Sequence, residues 1–211
     1  MSRALALGGL VGPILFSTLV VVCGALRPEY NHATQFISEL GETGGGHASL
    51  MNFVGFIPAG LLLTAFGASL AALLPRTVLS IAGALLIATF GFGIAAAGLY
   101  SCDPGCSRQT MSSAATVHDV VSRMAFLSGI LGTAIWGYRF RNVPSGRSIW
   151  RYTVGSSVVA LALLLMLIAS AESRASTGIW QRLFLATLFL WCSVVGVRVF
   201  RRPAASSRDA V

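Results

Sequence analysis

The chain has 211 residues, of which 55% are hydrophobic and only 10% charged. A soluble domain carries roughly a quarter charged residues, so a water-soluble globular fold is excluded. The formal charge of +8 would point a soluble protein toward nucleic acid, but here it is carried by arginines that sort by loop, and the expected partner is membrane lipid rather than nucleic acid.

Six apolar runs are each long enough to cross a hydrocarbon layer of ~30 Å, which takes about 20 residues. They cover residues 4–26, 51–73, 78–99, 117–138, 152–171 and 178–200. The chain therefore reads as all-α: a six-transmembrane-helix bundle with a short amphipathic helix in the first outer loop. Residues 1–202 form a single integral membrane domain, and the Ser/Arg/Ala-rich 203–211 reads as a disordered cytoplasmic tail. Ten arginines, among them Arg3, Arg76, Arg139, Arg141, Arg147, Arg151 and Arg198, fall on one side. Arg27, Arg108 and Arg174 fall on the other, with Arg123 and Arg182 near helix ends there. The positive-inside rule then places both termini in the cytoplasm of a prokaryotic cell, in its plasma membrane.

The first run follows Arg3 but exceeds the 7 to 15 residues of a signal-peptide core and lacks an Ala-x-Ala site, so it is expected to remain as a helix. Gly8, Gly9, Gly12 and Pro13 predict close helix contact and a kink. After Arg27-Pro28 comes the most polar stretch of the chain, Tyr30 to Asn52. Asn31 can cap a helix with Ala33, Phe36, Ile37 and Leu40 on one face. His32, Gln35, Ser38, Glu39 and Glu42 fall opposite, toward water or the other outer loops. Gly41 terminates this helix, and Gly44-Gly45-Gly46 leads through His47 to the second span.

The tight connection Leu74-Pro75-Arg76-Thr77 makes the second and third spans antiparallel neighbours. Gly91, Gly93 and Gly98 give the third span a small-residue surface, through which a homo-oligomer could also form. The next outer loop holds Cys102-Asp103-Pro104-Gly105-Cys106, where a disulfide, two free thiols and a metal pair all fit the spacing. Thr116 is positioned to cap the fourth span with Asp119 at its third residue; Asp119 can pair with Arg123, and His118 shares a face with Ser122. Cys23 and Cys192 read as apolar core residues.

Almost no ionisable residue lies at mid-membrane depth, which argues against an ion-coupled transporter. The candidate ligand-binding set gathers at the outer ends: His32, Ser38, Glu39, Asn52, Asp103, His118, Asp119 and Arg123. Its expected role is a pocket for a lipid headgroup or small ligand. An alternative is a zinc-dependent hydrolase acting on lipid at the outer leaflet, with His32, His47 and His118 as metal ligands. Another is a helical subunit of a membrane complex. His-x-x-x-His, His-Glu-x-x-His and Gly-x-Ser-x-Gly motifs are absent, so whether the protein is an enzyme stays open at this point.

Four features together carry a resemblance: Ser38-Glu39-Leu40-Gly41 after Phe36-Ile37, Asn52-x-x-Gly55-Phe56, the Cys102 to Cys106 turn, and His118. The chain resembles the bacterial and archaeal family catalogued as domain of unknown function 998. That resemblance implies a six-helix integral membrane protein and leaves its activity open. A looser similarity is to membrane hydrolases such as the alkaline ceramidases, which build a zinc site from His, Asp and Ser, although paired histidines on one late helix are missing here.

Overall fold

A computed structural model describes residues 2–73 and 77–201. The connection at 74–76 and the tail expected at 203–211 lie outside the described residues. All regular structure among the described residues is helical. Six helices are long and apolar enough to cross a membrane: α1 (Arg3–Ala25), α2 (Ala48–Leu70), α3 (Val78–Leu99), α4 (Ser113–Arg141), α5 (Trp150–Ser170) and α6 (Thr177–Arg201). In lipid a helix is favoured because every backbone N–H and C=O in its interior finds a partner within the same segment.

Each helix packs against its neighbours in sequence, and α6 closes the ring against α1. The ring is filled by aromatic rings set edge to face. Phe16 of α1 meets Phe56 at 5.1 Å and Phe189 at 5.4 Å, and Phe66 meets Trp191 at 6.1 Å. Helices α2 and α3 touch backbone to backbone, since a Cβ on Gly60 or Gly91 would collide with main-chain atoms of the opposite helix. These glycine faces are thus used inside the molecule.

Pro13 lacks the N–H that would have bonded the Gly9 carbonyl four residues earlier. That carbonyl instead accepts the Ser193 hydroxyl of α6 at 3.1 Å. The helical interruption falls at Leu7, between Ser2–Ala6 and Gly8–Ala25. In α2 the segment Met51–Phe56 is wound as a π-helix immediately before Pro58. Such a widened turn is a common way to place one side chain off the regular helical face.

At one end of the ring lie three connections, at residues 26–47, 100–112 and 171–176. The first crosses the ring as a strap. Its short helix is present as the 3-10 helix Ile37–Gly41, preceded by a turn in which Asn31 Oδ1 accepts the Ala33 N–H at 2.8 Å. The extended Phe36 separates the two and prevents one continuous helix. Ile37 and Leu40 are buried, as their spacing predicts. The expected wet face differs: Glu39 and Glu42 are only 2% and 5% exposed. The start of α4 also differs, because Ser112 rather than Thr116 supplies the cap, accepting the Ala115 N–H at 3.1 Å.

Candidate functional site

A buried carboxylate is costly unless charge and hydrogen bonds compensate it, so the partners of Glu39 and Glu42 indicate what those residues do. Glu39 Oε1 accepts from Arg174 Nη1 at 2.5 Å and from the Phe36 N–H at 3.0 Å; Oε2 accepts from Gln35 Nε2 at 2.7 Å. Glu42 accepts from Arg27 Nη2 at 2.7 Å and from the Gly105 N–H at 2.5 Å. Arg27 also donates to the Glu39 carbonyl at 2.7 Å, and Arg174 to the Gly105 carbonyl at 2.5 Å. These carboxylates have their oxygens occupied, and the network ties the strap to the end of α1, the Cys102–Cys106 turn and the α5–α6 connection.

A second tie comes from α6. Arg182 donates to the Tyr30 hydroxyl at 2.5 Å, to His32 Nδ1 at 3.1 Å and to the Gln35 carbonyl at 3.1 Å. Since a guanidinium only donates, the Nδ1 facing it must carry a lone pair. Desolvation first, and then the Arg182 charge, push the His32 imidazole below its usual pKa. Burial raises the Tyr30 phenol above its ordinary range, outweighing the nearby arginine. Gly178 lets the strap lie directly on α6, because a Cβ there would fall on the His32 and Gln35 carbonyl oxygens.

The 100–112 connection is built from compact turns. Cys102 and Cys106 are joined by a disulfide with their Cα atoms 5.1 Å apart. The Thr43 N–H donates to the Cys102 carbonyl at 2.9 Å, and Asp103 accepts the Ser112 N–H at 2.7 Å. Asn52, on the π-helical turn, donates to the Gly41 carbonyl at 2.9 Å and to Ser101 Oγ at 3.0 Å. His118 Nδ1 lies 3.1 Å from the Ala97 carbonyl and 2.7 Å from the Tyr100 carbonyl, so Nδ1 carries the proton and ties α4 to α3. Asp119 pairs with both Arg108, at 3.0 Å, and Arg123.

Beside the strap, α4 and α5 diverge around a cleft of about 530 Å³. On α4 its wall runs from His118 and Asp119 through Ser122 and Arg123 to Phe126 and Leu127; opposite, it runs from Glu172, just past the end of α5, to Leu167 and Leu164 on that helix. Both walls therefore pass from polar at the strap end to apolar deeper in the bundle. Twelve residues of helix between Ala115 and Leu127 span about 18 Å. Ser38, Ser122, Phe126 and Gln181 also line a small void of about 20 Å³ under the strap, so they stand between the cleft and the ring interior. Gln181 is oriented by the Ile37 N–H, which donates to its Oε1 at 2.7 Å.

Of the eight candidate binding residues, Ser38, His118, Asp119 and Arg123 line this cleft. Glu39, Asn52 and Asp103 hold backbone or arginine partners instead, and His32 sits at the α1–α6 side on Arg182. His47 is exposed, in a left-handed conformation with φ 62° ahead of α2. Among the described residues no group of three or more His, Cys, Asp and Glu side chains is placed to hold a metal, so His32, His47 and His118 do not share a site. Sequence reasoning missed Gln181, Ser122, Arg108 and Glu172 in the cleft, and Arg27, Arg174 and Arg182 as the strap's anchors. The arginines did leave a signal, being the few that depart from the basic side of the topology.

A sequence model of the family described as Protein of unknown function (DUF998) matches residues 10–198. No curated protein and no solved structure matches the chain.

Proposed function

The chain belongs to the family described as Protein of unknown function (DUF998), and from that premise we propose that it is a lipid-binding membrane protein which seats a lipid in the cleft between α4 and α5. The observation that carries this reading is the gradient along the cleft walls. Arg108, Asp119, Arg123 and Glu172 stand at the strap end, and Leu127, Leu164 and Leu167 lie deeper. A ligand matching that gradient has a polar head and an apolar tail, and its route in is lateral, through the bilayer. A volume of about 530 Å³ lies within the 300 to 1,000 Å³ typical of ligand sites. The outward orientation of this end, expected from the arginine distribution, would make the outer leaflet the source.

The test is lipid extraction from the purified full-length protein. Lipid retained in excess of the bulk membrane composition is the expected result. Ser122→Trp, which fills the throat of the cleft, should bring retention down to the bulk level while the melting temperature in detergent holds. Bulk composition in the wild type would overturn the reading.

A further inference from the structure

The mouth of the cleft separates charge. On one side Arg108 and Arg123 share a single carboxylate, that of Asp119. Each guanidinium has five N–H donors and spends one on it, so the arrangement keeps a net positive charge and unused donors at side chains 60% exposed. Across the cleft on the α5 side, Glu172 forms no hydrogen bond or ion pair among the described residues. The mouth thus offers a cation on one wall and an anion on the other. Below it Gln181 is 5% exposed. Its Oε1 is taken by Ile37, whereas its Nε2 donors have no protein partner among the described residues and line the cleft.

Resting on the lipid reading above, we propose that the occupant is a glycerophospholipid whose headgroup is zwitterionic and ends in a primary ammonium, the phosphatidylethanolamine class. Its phosphate lies against Arg108 and Arg123, since guanidinium forks match phosphate oxygens. The ammonium donates to Glu172. Gln181 Nε2, which has no protein partner among the described residues, donates to an ester carbonyl at the glycerol backbone. The chains continue between Leu127 and Leu164.

A quaternary ammonium fits less well. It has no N–H for Glu172, and its usual partner is an open aromatic face. The aromatic residues lining the cleft are already engaged: Arg174 lies over the Phe36 ring at 4.5 Å, and Phe126 packs on Phe184 at 4.7 Å. A purely anionic headgroup would bring no cation to Glu172 and would leave that carboxylate facing like charge.

The measurement is native mass spectrometry of the full chain loaded from equimolar phosphatidylethanolamine, phosphatidylcholine and phosphatidylglycerol. Wild type should retain the ethanolamine lipid about tenfold over the choline lipid, the factor that one charge-assisted hydrogen bond supplies. Glu172→Gln should bring ethanolamine and glycerol lipids to within about twofold, and Arg108→Gln/Arg123→Gln should lower all three about tenfold. Melting temperatures of the variants report that the fold is intact. Lipid retained without ethanolamine preference, or a preference that survives Glu172→Gln, overturns this assignment and leaves the cleft reading standing. No lipid retained above bulk overturns both.

Discussion

At the scale of the residue, charge type was a poor guide to role, and partners decided it. Glu39 and Glu42 looked like the wet face of a short helix because helical periodicity places them opposite Ile37 and Leu40. They are buried because Arg27 and Arg174 reach them over the strap, contacts 15 and 135 residues apart in sequence. His32 is a base whose protonation is disfavoured first by desolvation and then by the Arg182 charge. Its folded pKa is depressed, so between that value and the unfolded value of about 6.5 the unfolded chain binds more protons. The His32 contribution to stability is therefore complete above pH ~6.5 and declines as pH falls below it. Melting temperature in detergent should fall between neutral and mildly acidic pH. His32→Gln, whose Oε1 still accepts from Arg182, should flatten that part of the profile. An unchanged slope in the variant would assign the pH dependence to other groups.

Among the elements, the strap and the disulfide turn behave as one unit. The Gly105 N–H and carbonyl bond Glu42 and Arg174 in opposite directions, and the Cys102–Cys106 bridge fixes that peptide in place. Closing so short a loop contributes about 2 kcal/mol in the chain-entropy account. Removing one partner of a well-buried ion pair, as Glu42→Ala does to Arg27, costs about 3 kcal/mol. The two losses should fall short of additive in a double-mutant cycle with Cys102→Ser/Cys106→Ser, because both release Gly105. Thermal unfolding of the four proteins measures this, and full additivity would show that turn and strap are held independently. The sequence showed the turn, since Pro104 and Gly105 mark it, but its spacing alone did not reveal which thiol chemistry it holds or that the strap lies across it.

For the whole molecule, hydropathy accounts for the six helices and close-packed glycines account for which of them touch most intimately. Ring closure of α6 on α1 follows from particular contacts, such as Ser193 on the carbonyl freed by Pro13. Orientation is argued from arginine placement, and it has a direct check. A cysteine at Gln109, exposed on the strap side, should react with a membrane-impermeant maleimide on intact cells; one at Ser148, exposed at the opposite end, should react only after lysis. Cys23 and Cys192 are buried and leave the background low. The reverse pattern would invert the protein in the membrane and move the cleft to the inner leaflet.

What the sequence determined by itself was the class of solvent and the number of helices long and apolar enough to span a membrane. Those depend on composition and on local periodicity, which are properties of contiguous residues. The tertiary structure alone decided that most of the polar stretch from Tyr30 to Asn52 is fastening, and that the cleft lies beside it between α4 and α5. Both depend on long-range pairing. Arg174 and Arg182 are distant in sequence from the strap they hold, and the gradient of the cleft exists only once two helices stand side by side.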